Sequence, residues 1–133
     1  MAAKELKGVL PPMITPFTPE GEIYEKGLNE VIDFLLERGV HGIFAIGSYG
    51  SFALMTADER KRLARMILAQ VNDRVPVIIQ VGSPSTREAV ELAEDAASIG
   101  AAAVAAVVPF YYSGFAYKDE EILQHFTDLV KAV

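Results

Sequence analysis

The sequence predicts an α/β protein built on a parallel sheet, and three observations carry that prediction. Four short apolar runs alternate with four segments whose apolar residues recur at helical spacing, in the order β-α-β-α-β-α-β-α. Strands joined by helical crossovers run parallel. With 133 residues, of which 51% are hydrophobic, the chain has the size of one domain, spanning 1–133.

Residues 8–17 read as the first strand, but Pro11 and Pro12 each lack a ladder N–H, so this strand is expected to be irregular or to end in a bulge. Residues 18–22 turn the chain. Over 25–38, Leu28, Val31, Ile32, Leu35 and Leu36 fall on one helical face, and Gly39 supplies the stop. The second strand begins at Ile43. Thr56, with Glu59 three residues later, predicts a capping box opening a helix over 57–71, with Ala64, Ile67, Leu68 and Val71 inward. Asp73 and Arg74 turn the chain into a third strand over 76–81, where proline is tolerated at the first position. Ser85 and Glu88 repeat the capping-box pattern, and Ala89, Ala93, Ala96 and Ala97 give the helix they open a small face before Gly100 stops it. The fourth strand covers 103–108, closed by Pro109 and the aromatic group Phe110, Tyr111 and Tyr112, with Ser113 and Gly114 as the turn. A last helix over 119–132 puts Ile122, Leu123, Phe126, Leu129 and Val130 on one side.

The second strand ends in Gly47-Ser48-Tyr49-Gly50, two glycines around two hydroxyl residues. Such a loop delivers backbone N–H groups and hydroxyls to the end of a parallel sheet where ligands bind. Its functional reading is a cradle for a small carboxylate, with Gly47 and Gly50 permitting close approach and positive φ. On spacing alone, an ordinary strand-to-helix turn is the favoured reading. The loop lacks the Gly-Lys-Ser/Thr ending of a P-loop and the third glycine of a dinucleotide fingerprint, so nucleotide binding is not expected.

A formal charge of -6 with no Lys/Arg stripe argues against nucleic acid or an anionic membrane as partner. Without cysteine there is no disulfide frame, thiolate nucleophile or zinc-thiolate site, and His41 and His125 have no metal-ligand spacing. Both histidines read as packed or surface residues. Residues 1–7 hold no apolar stretch of signal-peptide length and no run reaches the roughly 18 residues of a membrane span, so a cytoplasmic location is expected.

Several landmarks together resemble the dihydrodipicolinate synthase / N-acetylneuraminate lyase family of pyruvate-dependent class I aldolases. They are the opening strand 8–17, the glycine-hydroxyl loop 47–50 with Leu54-Met55-Thr56 and Glu59-Arg60 after it, Pro76-Val77-Ile78 followed by Gly82, Pro109-Phe110-Tyr111-Tyr112, and His125-Phe126. The resemblance implies a TIM (βα)₈ barrel that joins a lysine to the keto carbon of pyruvate as a Schiff base, without metal or dissociable cofactor. It assigns carboxylate binding to the loop, with Ser48 where the family's first loop Thr or Ser stands and Tyr49 where the second Thr usually stands. It assigns a place in a proton relay near a subunit interface to Tyr112. Two departures are that Tyr49 puts a bulky phenol where a short hydroxyl is usual, and that Ser51 replaces a common glutamate.

A (βα)₈ barrel takes about 250 residues, so four βα units are a parallel (βα)₄ half. The resemblance places the Schiff-base lysine on the sixth strand and the main catalytic tyrosine on the fifth, beyond what this sequence contains. None of Lys4, Lys7, Lys26, Lys61, Lys118 and Lys131 falls in a strand, and a nucleophilic lysine needs desolvation. Lys118 alone is expected on the ligand-facing side. A half barrel leaves an apolar inner face and two open edges, which call for a partner: a second copy of the chain, as a closed or rearranged dimer, or a complementary C-terminal half. The expected function is the front half of a pyruvate aldolase, inactive alone. The alternatives are a non-catalytic self-assembling half-barrel or oxo-acid binder, and an independent enzyme using Lys118.

Overall fold

The computed structural model describes residues 5–111 and 117–133. Helices α1 (Glu25–Glu37), α2 (Ala57–Val71), α3 (Thr86–Ser98) and α4 (Asp119–Lys131) alternate with strands β1 (Ile43–Ala45), β2 (Val77–Gln80) and β3 (Ala103–Ala105). The strands form a parallel sheet in the order β1-β2-β3, with Phe44 opposite Ile78 and Ile78 opposite Ala103.

The opening segment is not a regular fourth strand. It meets β1 through one parallel bridge, Pro12 to Phe44. His41 N–H donates to Val9 O (2.9 Å) and Phe44 N–H to Pro11 O (3.0 Å), so three steps on one side match two on the other. That mismatch is a bulge, placed where Pro11 has no N–H to give back. Val9 N–H is met instead by the imidazole Nδ1 of exposed His41, at 3.0 Å. The expected turn follows, closed by Thr18 N–H on Glu22 O at 2.8 Å.

Burial alternates along β1 and the start of β2, and the pairing register extends the two faces to β3. Ile43, Ala45, Val77, Ile79 and Val81 are fully buried and join the core with Leu28, Ile32, Leu63, Ile67, Ala89 and Ala93 from the helices. Phe44, Ile78, Ala103 and Ala105 point the other way and are only half-buried. Helices therefore cover one face of the sheet, unlike an open parallel sheet sandwiched on both sides.

The helix ends follow local chemistry. Thr56 and Glu59 make the full capping box on α2: Thr56 Oγ1 accepts from Glu59 N–H (3.3 Å), and Glu59 Oε2 accepts from Thr56 N–H (2.7 Å). At α3 only half of the expected box forms. Ser85 Oγ accepts from Glu88 N–H at 3.4 Å, but the Glu88 carboxylate accepts from the buried Ser83 hydroxyl instead. Gly39 (φ +72°) and Gly100 (φ +91°) terminate α1 and α3 in the left-handed region, as expected of glycine stops.

Two inward faces differ from expectation. On α3, Ala89, Ala93 and Ala96 are buried as expected, but Ala97 is exposed and Leu92 takes its place at the edge of the packed stripe. On α4, His125 and Leu129 are buried, whereas Leu123 (68%) and Val130 (71%) are exposed. Among the described residues, α3 is the helix against which α4 packs, and Leu123 and Val130 lie on the part of its apolar stripe that this packing leaves exposed. No helix among the described residues is long and apolar enough to cross a membrane.

Candidate ligand site at the strand ends

The chain leaves β1 through a strained turn. Ile46, a β-branched residue, holds φ 59°, and Ser51 holds φ 61°; a side chain in this region costs about 1 kcal/mol or more. Gly47 and Gly50 are not the residues with positive φ, which corrects that part of the sequence reading. Their role is close approach. A Cβ on Gly47 would lie 2.6 Å from the Phe44 ring, and one on Gly50 would lie 3.0 Å from Ile46 Cα.

The turn is tied internally by Ser51 N–H on Ser48 O (3.2 Å) and Phe52 N–H on Gly47 O (3.3 Å), and a 3₁₀ turn over Phe52–Leu54 leads to α2. Thr15 pins it from the opening segment, its buried hydroxyl donating to Gly50 O at 2.9 Å. Gly47 and Gly50 are buried beneath the loop, while Ser48 and Tyr49 form its exposed crest. Tyr49 is 70% exposed, so most of its side chain is in solvent. Among the described residues, no acceptor meets the backbone N–H groups of Gly47, Ser48, Tyr49 or Gly50. Successive amides that converge in a turn bind anions. Four of the five residues singled out from sequence are thus brought into one turn; Tyr112 lies outside the described residues.

Lys118 has the solvated surroundings expected of it. Lys118 is exposed at the start of α4, where its backbone N–H donates to Glu121 Oε2 at 2.8 Å. Lys61 pairs with Glu91, and its hydrogen bond to that carboxylate raises its pKa, opposite to what a nucleophilic amine requires. Glu59 is held below the ordinary carboxyl value by the Thr56 backbone N–H, a capping role and not an acid/base one.

Sequence reading missed the role of Arg60, which is 5% exposed. Its Nη1 donates to Gly82 O (3.1 Å), and its Nη2 donates to Gln80 O (2.9 Å) and Gln80 Oε1 (3.1 Å), so the first turn of α2 is tied to the end of β2. The guanidinium lies 5.4 Å from the Phe52 ring centroid, and Phe52 meets Phe110 edge-on at 5.7 Å. Burial lowers the Arg60 pKa, with the Glu88 charge opposing. The signal was present in the pattern. Arg60 shares the helical phase of Ala64, Ile67 and Val71, an arginine on an otherwise apolar stripe. A cavity of about 80 Å³ lies beside it, lined in part by Phe52, Ser83, Glu88 and Phe110.

Parallel strands covered by helices on one face, with a glycine turn at their carboxyl ends, define part of a (βα) barrel with its candidate site at the strand ends. The Dihydrodipicolinate synthetase family profile matches residues 5–133, and the chain belongs to that family. It is 40% identical over 130 residues to the 4-hydroxy-tetrahydrodipicolinate synthase of Methanopyrus kandleri, covering 97% of this chain and 42% of that protein. Among solved structures, it is similar to YagE, a prophage protein of Escherichia coli K12 solved in complex with pyruvate (TM-score 0.90, 34% identity, 95% of this chain and 41% of that one). It is also similar to CdNal of Clostridium difficile, solved in complex with mannosamine (TM-score 0.92, 33% identity, 98% of this chain and 44% of that one). The chain spans less than half the length of these relatives. Its architecture is accordingly the parallel (βα)₄ half of a TIM barrel.

Proposed function

We propose that this chain is the carboxylate-binding front portion of a Schiff-base-forming, pyruvate-dependent aldolase or lyase, organised as one half-barrel domain over 1–133. In this reading the Gly47–Gly50 turn receives the carboxylate of a small 2-oxo acid. The observation that carries it is the run of four backbone N–H groups without an acceptor among the described residues, at the strand ends of a chain of this family. An anion supplies the missing acceptors, and the exposed Ser48 hydroxyl adds a donor at the crest. Tyr49, which is solvent-exposed, adds a phenol hydroxyl at the rim of the turn in this reading.

The remaining parts belong to a complementary half. The imine-forming lysine comes from the complementary half, since among the described residues Lys118 is exposed and Lys61 is ion-paired with Glu91. Tyr112 acts in the proton relay, and no metal or dissociable cofactor takes part. The complementary half covers the inner face at Phe44 and Ile78 and pairs the free edges of the sheet. Borohydride reduction in the presence of pyruvate tests this assignment. The chain alone is expected to show no covalent mass gain, whereas the chain with a lysine-bearing C-terminal half is expected to show one, on the complementary half. A pyruvate adduct on this chain, above all at Lys118, would refute it.

A further inference from the structure

A buried histidine fastens the last helix to its neighbour. His125 on α4 is 3% exposed, and its Nδ1 lies 2.8 Å from the Thr86 hydroxyl in the first turn of α3. The Phe126 ring stands edge-on to it at 5.4 Å. Its other nitrogen, Nε2, meets no hydrogen-bond partner among the described residues. The rest of the seat is thin. Leu129 is buried, but a cavity of about 120 Å³ remains between α4, Val81 and β3, bounded by Val104, Ala106 and Phe126. The Thr86–His125 contact ties α4 directly to the first turn of α3.

We propose that the Thr86–His125 contact is a proton-operated latch, closed while the imidazole is neutral and opened when it takes up a proton, which releases α4 from α3. The hydrogen bond alone does not set the switch, because a protonated ring can still donate to the threonine oxygen. What sets it is the burial of a positive charge whose second N–H has no acceptor. On α4, the Asp128 carboxylate one turn further on favours the imidazolium. Glu121, one turn back, accepts from the Lys118 backbone N–H, and Lys118 itself is exposed. On α3, the Glu88 carboxylate is engaged by the Ser83 hydroxyl and Arg87 is exposed. Burial outweighs Asp128 and holds the ring below its ordinary value of 6.5.

The sign follows by linkage. A ring depressed when docked and ordinary when detached stabilises docking fully above about pH 6.5, and that contribution falls away as the pH drops below it. Amide hydrogen exchange along α4 between pH 5 and 8, corrected for intrinsic rates, reads the opening constant. It is expected to rise as the pH falls below about 6.5, while the α2 amides show no such slope. His125→Gln is expected to abolish the slope, and the same slope in that variant overturns the proposal. If His125→Gln leaves α4 undocked at every pH, the ring titration of the unaltered protein by NMR decides. A midpoint below 6.5 with opening that tracks it supports the latch, and an ordinary midpoint with α4 still protected overturns it. Thr86→Val, which keeps the ring, is expected to raise opening at all pH values and retain the slope; unchanged opening removes Thr86 from the device.

Discussion

At the scale of single residues, the two glycines of the candidate loop are constrained by different neighbours. A methyl group on Gly47 would meet the Phe44 ring, which borders the open inner face and can rotate away, whereas one on Gly50 would meet the backbone of Ile46, which cannot. Gly50→Ala is therefore expected to destabilise the chain by about 1–3 kcal/mol, and Gly47→Ala by less, as read from urea denaturation midpoints. Arg60 is a second point of leverage. Arg60→Met keeps most of the side-chain volume but leaves the buried carbonyl groups of Gln80 and Gly82 without their donor. A loss of about 2–4 kcal/mol is expected in the same measurement. Arg60→Lys is expected to recover only part of it, since an ammonium cannot span both carbonyls in one plane. Neither the Arg60 clamp nor the positive φ of Ile46 was stated by the sequence reading, because both depend on what lies across the turn and not on adjacent residues.

At the scale of elements, the helices were the most legible part of the chain, since their starts and stops rest on local chemistry. Helix α2 opens and closes where its capping residues place it, and Gly39 and Gly100 end α1 and α3 as glycine stops do. The strands were less legible. The ladder of the opening segment depends on which N–H groups Pro11 and Pro12 withhold from β1, and that is settled only against a neighbour. The second capping box failed for a similar reason. Ser83, two residues before Ser85, competes for the Glu88 carboxylate, and nothing in the spacing ranks the two serines. For α2, Thr56→Ala is expected to cost about 1 kcal/mol in thermal or urea unfolding. Because Glu59 is held below 4.5 by the cap, its contribution is present above that pH and is lost as the pH falls through its folded value. Acid titration followed by circular dichroism should show this loss in the parent chain and not in Glu59→Gln.

At the scale of the whole molecule, the one-sided sheet governs behaviour. The helix layer seals the residues of β1 and β2 that face it, whereas Phe44, Ile78, Ala103 and Ala105 on the other side stay half-buried. Placing a carboxylate there, as in Ile78→Glu, is expected to leave the chain's own helical signal intact while abolishing association with a complementary half, measured by sedimentation velocity. The same substitution on the covered side, Ile79→Glu, is expected to unfold the chain, because it buries a charge among Leu63, Ile67 and Ala93. The contrast between adjacent residues tests whether the two faces have the roles assigned here.

The Thr15 hydroxyl bond to the Gly50 carbonyl has a practical corollary. The turn at the end of β1 is braced by a residue near the amino terminus, so changes at the front of the polypeptide are felt there. Trimming the first fifteen residues, or fusing a bulky tag that pulls them out of place, should slacken the Gly47–Gly50 turn without altering any of its own residues. A fusion at the other terminus would leave that brace untouched.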